Sequence, residues 1–220
     1  MASTDELFEA IEAGGVHRVR AILARDPSMA SARDGEGVSA LMRARYRFDS
    51  ALAQAILSEH PGLDVFEATS FGEVDRLTEL LGEEPALVAS RSADGFTALH
   101  FAAFFGKPAA AQLLLGRGAD VDAVGTGWMT GTALHSAAAG RHRDVVALLL
   151  EAGANPDLRQ SHGWSALHSA AHNGDADTVD LLLVHGARRD VRNDDGVTAA
   201  ELARQEGHGG IAERLDQAAP

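Results

Sequence analysis

The sequence predicts an all-α solenoid, a stack of helix–turn–helix repeats joined by short β-turn or hairpin connections. The main observation is a tetrapeptide, Thr97-Ala98-Leu99-His100, that recurs along the chain. Its later copies are Thr132-Ala133-Leu134-His135, Ser165-Ala166-Leu167-His168 and the degenerate Thr198-Ala199-Ala200-Glu201, at steps of 35, 33 and 33 residues. A fixed period of this length is typical of stacked supersecondary units. Such a stack offers a partner an extended surface rather than one deep catalytic pocket.

Each clear repeat predicts two short antiparallel helices. Thr or Ser at the start of the tetrapeptide is a predicted N-cap, because its side-chain oxygen can accept a hydrogen bond from a backbone N–H that has no partner within the helix. Paired alanines then allow a neighbouring helix to approach closely. The second helix ends in three leucines and a glycine, and the glycine supplies the left-handed residue that terminates a helix. These endings are Leu113-Leu114-Leu115 with Gly118, Leu148-Leu149-Leu150 with Gly153, and Leu181-Leu182-Leu183 with Gly186.

These repeats resemble the ankyrin repeat family, whose signature is Thr-Pro-Leu-His-x-Ala at a period of about 33 residues. The resemblance is strongest over residues 92–215. One departure is systematic: Ala98, Ala133 and Ala166 stand where the family usually has proline, which would preset the first helical turn. The resemblance implies a non-catalytic protein–protein interaction module. It also implies that the histidines of the tetrapeptide are structural and tie each unit to its neighbour.

Residues 1–91 fit the same template more weakly. Leu7-Phe8-Glu9-Ala10 and Val65-Phe66-Glu67-Ala68 look like first helices with Phe in the histidine position, and Val38-Ser39-Ala40-Leu41-Met42 looks like a degenerate tetrapeptide. We therefore predict seven units, which begin near residues 5, 34, 64, 94, 127, 160 and 193 and form a single ankyrin repeat domain over residues 1–220. The first and last units are polar and are expected to act as caps of a complete stack.

Composition restricts the classes of partner. The net charge of −13 repels phosphate backbones and so disfavours nucleic acid. The densest basic runs, at residues 43–47 and 188–192, are interpreted as solvated faces. No apolar run approaches the length of a membrane span, there is no cysteine, and the acidic N-terminus lacks the apolar segment of a secretory signal. We expect a cytoplasmic protein with an unknown protein partner, no nucleic acid and no membrane.

No motif for catalysis stands out in the sequence. There is no Gly-x-Ser-x-Gly elbow and no phosphate-binding loop. The nearest histidine pair, His168 and His172, is four residues apart on a predicted first helix, but the structural role of His168 argues against a shared metal. We therefore expect no enzymatic activity, no cofactor and no metal.

The resemblance implies a groove lined by the turn tips and by the ends of the first helices. Aromatic side chains collect at these positions although the chain is only 5% aromatic, and aromatic residues are frequent binding hot spots. The glycine-rich loop around Trp128 is also two residues longer than its counterparts. The predicted partner-binding residues are Tyr46, Arg47, Phe71, Phe96, Phe104, Phe105, Trp128, Met129, His162, Trp164, His172 and Asn173.

Other interpretations of the same residues stay open. A small-molecule site in the groove of units four to six could be lined by Phe105, Trp128 and His172, and a closed apolar pocket would favour it. An enzymatic site could use His172 with a carboxylate inside a cleft. Phe96 and Trp164 could instead pack under their turns, and one residue of the pair Phe104 and Phe105 could belong to the core.

Overall fold

The computed structural model describes residues 3–127 and 130–217 of the chain. Over these residues the protein is all-α, and its fourteen α-helices follow one another as pairs of a first and a second helix. The first helices are α1 (Thr4–Glu12), α3 (Ala40–Tyr46), α5 (Val65–Phe71), α7 (Ala98–Phe104), α9 (Ala133–Ala139), α11 (Ala166–His172) and α13 (Ala199–Gln205). The second helices are α2 (Val16–Arg25), α4 (Ser50–Leu57), α6 (Val74–Glu83), α8 (Pro108–Gly116), α10 (Arg143–Glu151), α12 (Ala176–Val184) and α14 (Gly209–Asp216). The predicted fold class is confirmed.

The connections between pairs are short turns with little extended structure. Isolated antiparallel β-bridges join Arg33 to Ser39 and Arg192 to Thr198, each across a tight turn. Short 3₁₀ helices lie at Pro27–Ser31, in the same connection as the first bridge, and in two further connections at Pro85–Ala89 and Ser161–Gly163.

The helices group into two compact units. One unit runs to Glu67 and includes Ser92–Asp94, and the other comprises Ala68–Arg91 and continues from Gly95. In the first unit, α1 packs on α2 and α3, while α4 packs on α2 and α3. The centre of this unit is aliphatic, and its fully buried side chains include Leu7, Ile11, Ile22, Leu41, Leu52 and Ile56. The assignment of the whole chain to a single domain stays a prediction.

The second unit contains two layers of helices. One layer consists of α7, α9, α11 and α13, each packed on the next, and the other of α6, α8, α10 and α12. The second layer buries the middle of each leucine triplet, since Leu114, Leu149 and Leu182 are fully inaccessible. In the first layer the paired alanines are also fully buried, as expected for helices in close contact: Ala102, Ala103, Ala137, Ala138, Ala170 and Ala171.

The helix ends follow the capping chemistry of the sequence. At Gly118 the backbone is left-handed with φ 85°, and the N–H groups of Gly118 and Ala119 donate to the carbonyls of Leu115 and Leu114, both at 3.0 Å. The same pattern recurs after Leu150 and Leu183. Glycine is needed here because a side chain would disfavour this conformation.

The prediction that phenylalanine takes the histidine position in the first and third repeats is wrong. In α1, Ser3 is the N-cap and its Oγ accepts the N–H of Glu6 at 3.1 Å. Before α5, Asp64 Oδ1 accepts the N–H of Glu67 at 2.8 Å, and the Glu67 carboxylate accepts the N–H of Asp64 at 2.9 Å. Glutamate therefore occupies the third helical position in both, and before α5 the two bonds form the reciprocal cap known as the capping box.

Across the described ranges, no helix combines the length and the apolarity that a bilayer-spanning segment requires.

Candidate interaction surface

The histidines of the tetrapeptides hold the first helices in place. His100, His135 and His168 each accept their own N-cap residue's backbone N–H at Nδ1, with distances of 3.4, 3.2 and 3.2 Å. Their Nε2–H groups donate to carbonyls of the following connection or repeat: Gly131 at 3.0 Å, Leu158 at 2.9 Å and Val197 at 3.1 Å. Because one ring nitrogen accepts and the other donates, each imidazole is neutral.

Burial lowers the pKa of all three imidazoles below the usual 6.5, because a charged ring would lose its hydration. The carbonyls that accept from Nε2 oppose this effect but do not reverse it. These histidines therefore tie neighbouring repeats together in the neutral form.

A second row of inter-repeat hydrogen bonds lies at the ends of the first helices. The carbonyl of Phe104 accepts from His142 Nε2 at 3.1 Å, that of Ala139 from Asn173 Nδ2 at 3.0 Å, and that of His172 from His208 Nε2 at 3.2 Å. These three carbonyls occupy equivalent positions in successive repeats. Asn173, a predicted contact residue, is half-buried and uses its amide within this row.

The phenylalanines of the fourth repeat divide between core and surface. Phe96 is 3% exposed, and its ring lies 6.1 Å from that of Phe101, edge to face. Phe105 is 8% exposed and stacks on Phe101 at 6.5 Å. Phe104 stays half-buried and meets Phe105 edge to face at 4.9 Å. Phe96 and Phe105 thus belong to the core and offer a partner little area, which corrects the expectation that both face the groove.

The sixth repeat carries a more open cluster. The half-buried ring of Trp164 lies 5.4 Å from that of His172, in an edge-to-face arrangement. His172 Nδ1 lies 3.3 Å from Glu206 Oε1, and the two side chains are 44% and 43% exposed. A histidine and a carboxylate do meet here, but on an open surface rather than inside a cleft. This arrangement favours contact with a partner over acid–base chemistry.

The turn tip before α11 is open as well. His162 is exposed and has a left-handed backbone, with φ 61°. Its carbonyl accepts the N–H of Asp194 at 3.0 Å, and Arg159 Nη2 donates to Asp194 Oδ1 at 2.5 Å. The tip is thus fixed through its backbone, while the His162 imidazole projects at the surface.

Three further predicted contacts, Tyr46, Arg47 and Phe71, lie at the ends of α3 and α5. In the first unit, Tyr46 is half-buried and its hydroxyl donates to Asp94 Oδ2, while Arg47 is exposed. Burial, followed by this hydrogen bond, raises the pKa of the Tyr46 phenol well above its usual range. Phe71 is half-buried at the end of α5. Trp128 and Met129 lie outside the described residues.

Arginines that brace the turns were not recognised from the sequence. Arg33, Arg91, Arg159 and Arg192 each stand six residues before an N-cap, and each donates to the carbonyl of the glycine four residues further on. Arg33 and Arg159 also reach an aspartate of the next repeat, Asp64 and Asp194. The recurring spacing was a visible signal, but no prediction was made from it; of the four arginines, only Arg192 was considered, as part of the basic run at residues 188–192.

No metal-binding group of three or more His, Cys, Asp or Glu side chains occurs in the parts of the chain that the structure describes. A cavity of about 270 Å³ does occur in the second unit, between the starts of α8 and α10. Neither Phe105 nor His172 lines it, so it differs from the small-molecule site considered above.

Comparisons with known proteins agree with this architecture. A family model described as ankyrin repeats (3 copies) matches residues 65–160 and 153–218. The chain belongs to the ankyrin repeat family. Ankyrin repeats are in general protein-interaction modules rather than catalytic domains.

Similar curated proteins are much longer than this chain. Palmitoyltransferase Hip14 of Drosophila melanogaster is 36% identical over 49% of the chain, and the match covers 16% of that protein. The probable E3 ubiquitin-protein ligase XBOS31 of Oryza sativa subsp. japonica is 38% identical over 42% of the chain and 20% of its own length. Ankyrin repeat and SAM domain-containing protein 6 of Mus musculus is 40% identical over 46% of the chain, and the match covers 11% of that protein. The chain therefore spans at most a fifth of these three relatives.

Proposed function

We propose that this chain is a non-catalytic module that binds another protein through the ends of its first helices and its turn tips. The observation that carries the proposal is an abrupt change in burial along the first helices of the second unit. Ala103 and Ala171 are fully buried, whereas the next residues, Phe104 and His172, are half-buried and exposed. An aromatic or imidazole ring at the rim of a packed layer can serve as a binding anchor.

The proposed contact surface consists of Phe104, His162, Trp164 and His172, with Phe71 at the same repeat position as Phe104. Phe96 and Phe105 are excluded from it because they are buried, and Asn173 because its amide is used in an inter-repeat hydrogen bond. Tyr46, Arg47, Trp128 and Met129 stay predicted contacts. The net charge of −13 supports a protein rather than a nucleic-acid partner, and the expected cytoplasmic location stays a prediction.

The similar proteins also support a binding role rather than one particular catalytic activity. Proteins named as a palmitoyltransferase and as a probable ubiquitin ligase are each similar to part of this chain, although their names describe different activities. Similarity to proteins with different activities fits a binding module.

The proposal is tested by affinity capture from the native host, followed by calorimetry with the purified captured protein. The test variant is Phe104→Ala with His172→Ala. The matched control is Val184→Ala, which removes an apolar side chain that is 81% exposed on a second helix. We expect the test variant to weaken binding by tenfold or more, about 1.4 kcal/mol, and the control to bind like the parent.

Thermal unfolding of both variants separates lost contacts from lost fold. Equal affinity of the parent and the test variant would show that these helix ends are not the contact surface. Turnover of a compound by the purified chain would overturn the non-catalytic assignment.

A further inference from the structure

One position of the repeat has left-handed backbone in all seven pairs, at the turn between the first and the second helix. Glycine fills it in five of them, at Gly14, Gly72, Gly106, Gly174 and Gly207. The exceptions are Phe48 and Arg141, with φ of 54° and 58°. A side chain disfavours this conformation, so a residue other than glycine here points to a use for its side chain.

Arg141 has a second arginine two residues away, and the pair is specific to the fifth repeat. The neighbouring repeats have Gly106 and Pro108, Gly174 and Ala176, or Gly207 and Gly209 at these two positions. The fold therefore does not require a cation at either place. Both Arg141 and Arg143 are exposed, so neither is held there by burial.

The two arginines line the cavity of about 270 Å³ between the starts of α8 and α10. His142, Asp144, Gly106 and Pro108 form much of the remaining wall. The His142 ring is fixed by its hydrogen bond to the Phe104 carbonyl at 3.1 Å. It also packs tightly on Gly106, where an added Cβ would lie 2.5 Å from His142 Nδ1. The lining thus combines two arginines with an imidazole that is held by a hydrogen bond and by close packing.

We propose that this cavity binds a phosphate group. Two guanidinium groups outweigh the one carboxylate of Asp144, which leaves the lining net cationic in a chain of net charge −13. Guanidinium presents its N–H donors in a planar fork that matches phosphate oxygens. The volume accommodates a tetrahedral anion together with the group that carries it. The site is separate from the proposed protein-contact residues, none of which lines the cavity.

The experiment is isothermal titration calorimetry of the full chain at low ionic strength. Sodium phosphate is the first probe, and a pentapeptide with a central phosphoserine is the second, with its unphosphorylated form alongside. We expect a dissociation constant on the order of 1 mM for phosphate, the range of a weak single-group ligand. Tighter binding of the phosphopeptide than of phosphate would identify a phosphate carried by a protein as the natural ligand. Equal affinities for the phosphopeptide and for phosphate would identify free phosphate as the ligand.

Two variants and a control decide the assignment. Arg141→Gly installs the residue that five repeats already use, so the fold is retained, and phosphate affinity is expected to fall at least about tenfold, as for loss of one charge-assisted contact. Arg143→Ala is expected to act in the same direction. The control Arg117→Ala removes an equal charge from an exposed arginine outside the cavity lining and should bind like the parent.

The proposal is overturned if phosphate does not bind, or if it binds the parent and Arg141→Gly equally. The probe and the variants differ from those of the protein-capture experiment. Failure of one experiment therefore leaves the result of the other intact.

Discussion

Phe48 combines two unfavourable features in one residue. Its backbone is left-handed with φ 54°, and its residue surface is 68% exposed. Left-handed backbone costs a residue with a side chain about 1–2 kcal/mol relative to the right-handed form, and glycine escapes this cost. We predict that Phe48→Gly raises the free energy of unfolding by about 1 kcal/mol after allowance for the greater chain entropy of glycine. Urea unfolding of the parent and the variant measures this directly.

Phe48→Ala is the matched control for this prediction. Alanine removes the ring but keeps Cβ, so the backbone strain stays and no gain in stability is expected. A loss of stability in Phe48→Gly would show that contacts of the ring outweigh the strain.

The aromatic residues of the fourth repeat show what a sequence pattern can decide about single residues. The sequence predicted that this region is rich in aromatic side chains and that Phe104 and Phe105 could not both be core. It could not decide which of them is exposed, because α7 ends at Phe104 and the next residue turns back onto Phe101. The direction of a side chain at a helix end depends on whether the residue is the last one of the helix or the cap that follows it, and a sequence pattern does not locate a helix end to a single residue.

At the scale of the element, proline in place of the alanine that begins a first helix should have different effects on stability in different repeats. Ala133 is the first residue of α9, and Thr132 before it is extended with φ −94° and ψ 172°. This conformation is the one that a residue before proline prefers. We predict that Ala133→Pro raises the free energy of unfolding by about 0.4–1 kcal/mol, because proline restricts the unfolded chain at a helix position that tolerates it.

Ala40→Pro in the second repeat should have the opposite effect. Ala40 is the first residue of α3, but its N–H donates to the Ala32 carbonyl at 2.9 Å. Proline would remove this donor and leave the carbonyl without it, which costs on the order of 1 kcal/mol or more. Thermal unfolding of the two variants side by side is the measurement. A similar shift of the unfolding temperature in both variants would mean that the hydrogen bond of the Ala40 N–H contributes nothing to stability.

Helix starts were predictable wherever the tetrapeptide is intact, because the N-cap hydroxyl and the histidine are both local in sequence. The starts of α1 and α5 were predicted less accurately, because Ser3 caps α1 and the pair Asp64 and Glu67 caps α5 without the tetrapeptide. The arginines that brace the turns were missed for a different reason. Their acceptors are backbone carbonyls, such as that of Gly95 for Arg91 at 2.9 Å, so the sequence shows the regular spacing of the arginines but does not identify the groups that they bind.

At the scale of the whole molecule, a 33-residue period was sufficient to predict the fold class. The clefts depend instead on residues that differ from one repeat to the next. The cavity beside Arg141 lies where the fifth repeat departs from the glycine that five of the seven repeats share. Departures from the repeat, rather than the repeat itself, therefore identify candidate binding residues.

The three buried histidines also make the stability of the chain depend on pH. Burial lowers their pKa in the folded state below 6.5, so between 6.5 and the folded pKa values the unfolded chain binds more protons than the folded one. Their stabilising contribution is complete above pH 6.5 and is lost as the pH falls toward those values. Each histidine contributes a slope of up to about 1.4 kcal/mol per pH unit, and the three together about 4.

Glu67 acts in the opposite sense. Burial raises the pKa of its carboxyl, so its contribution is present at low pH and is lost as the pH rises through the folded value. The contribution of Glu67 is the same in the parent and in a variant that changes one histidine. It therefore cancels when the pH dependence of stability is compared between the two.

His135→Gln is the variant that tests the histidine contribution. Glutamine at the third helical position keeps a side chain that can complete the cap but cannot be protonated. Urea unfolding at intervals from pH 7.5 to pH 5 should show a slope for the variant that is shallower than that of the parent by up to about 1.4 kcal/mol per pH unit. Parallel curves for the parent and His135→Gln would mean that the folded chain protonates its buried histidines as readily as the unfolded chain does.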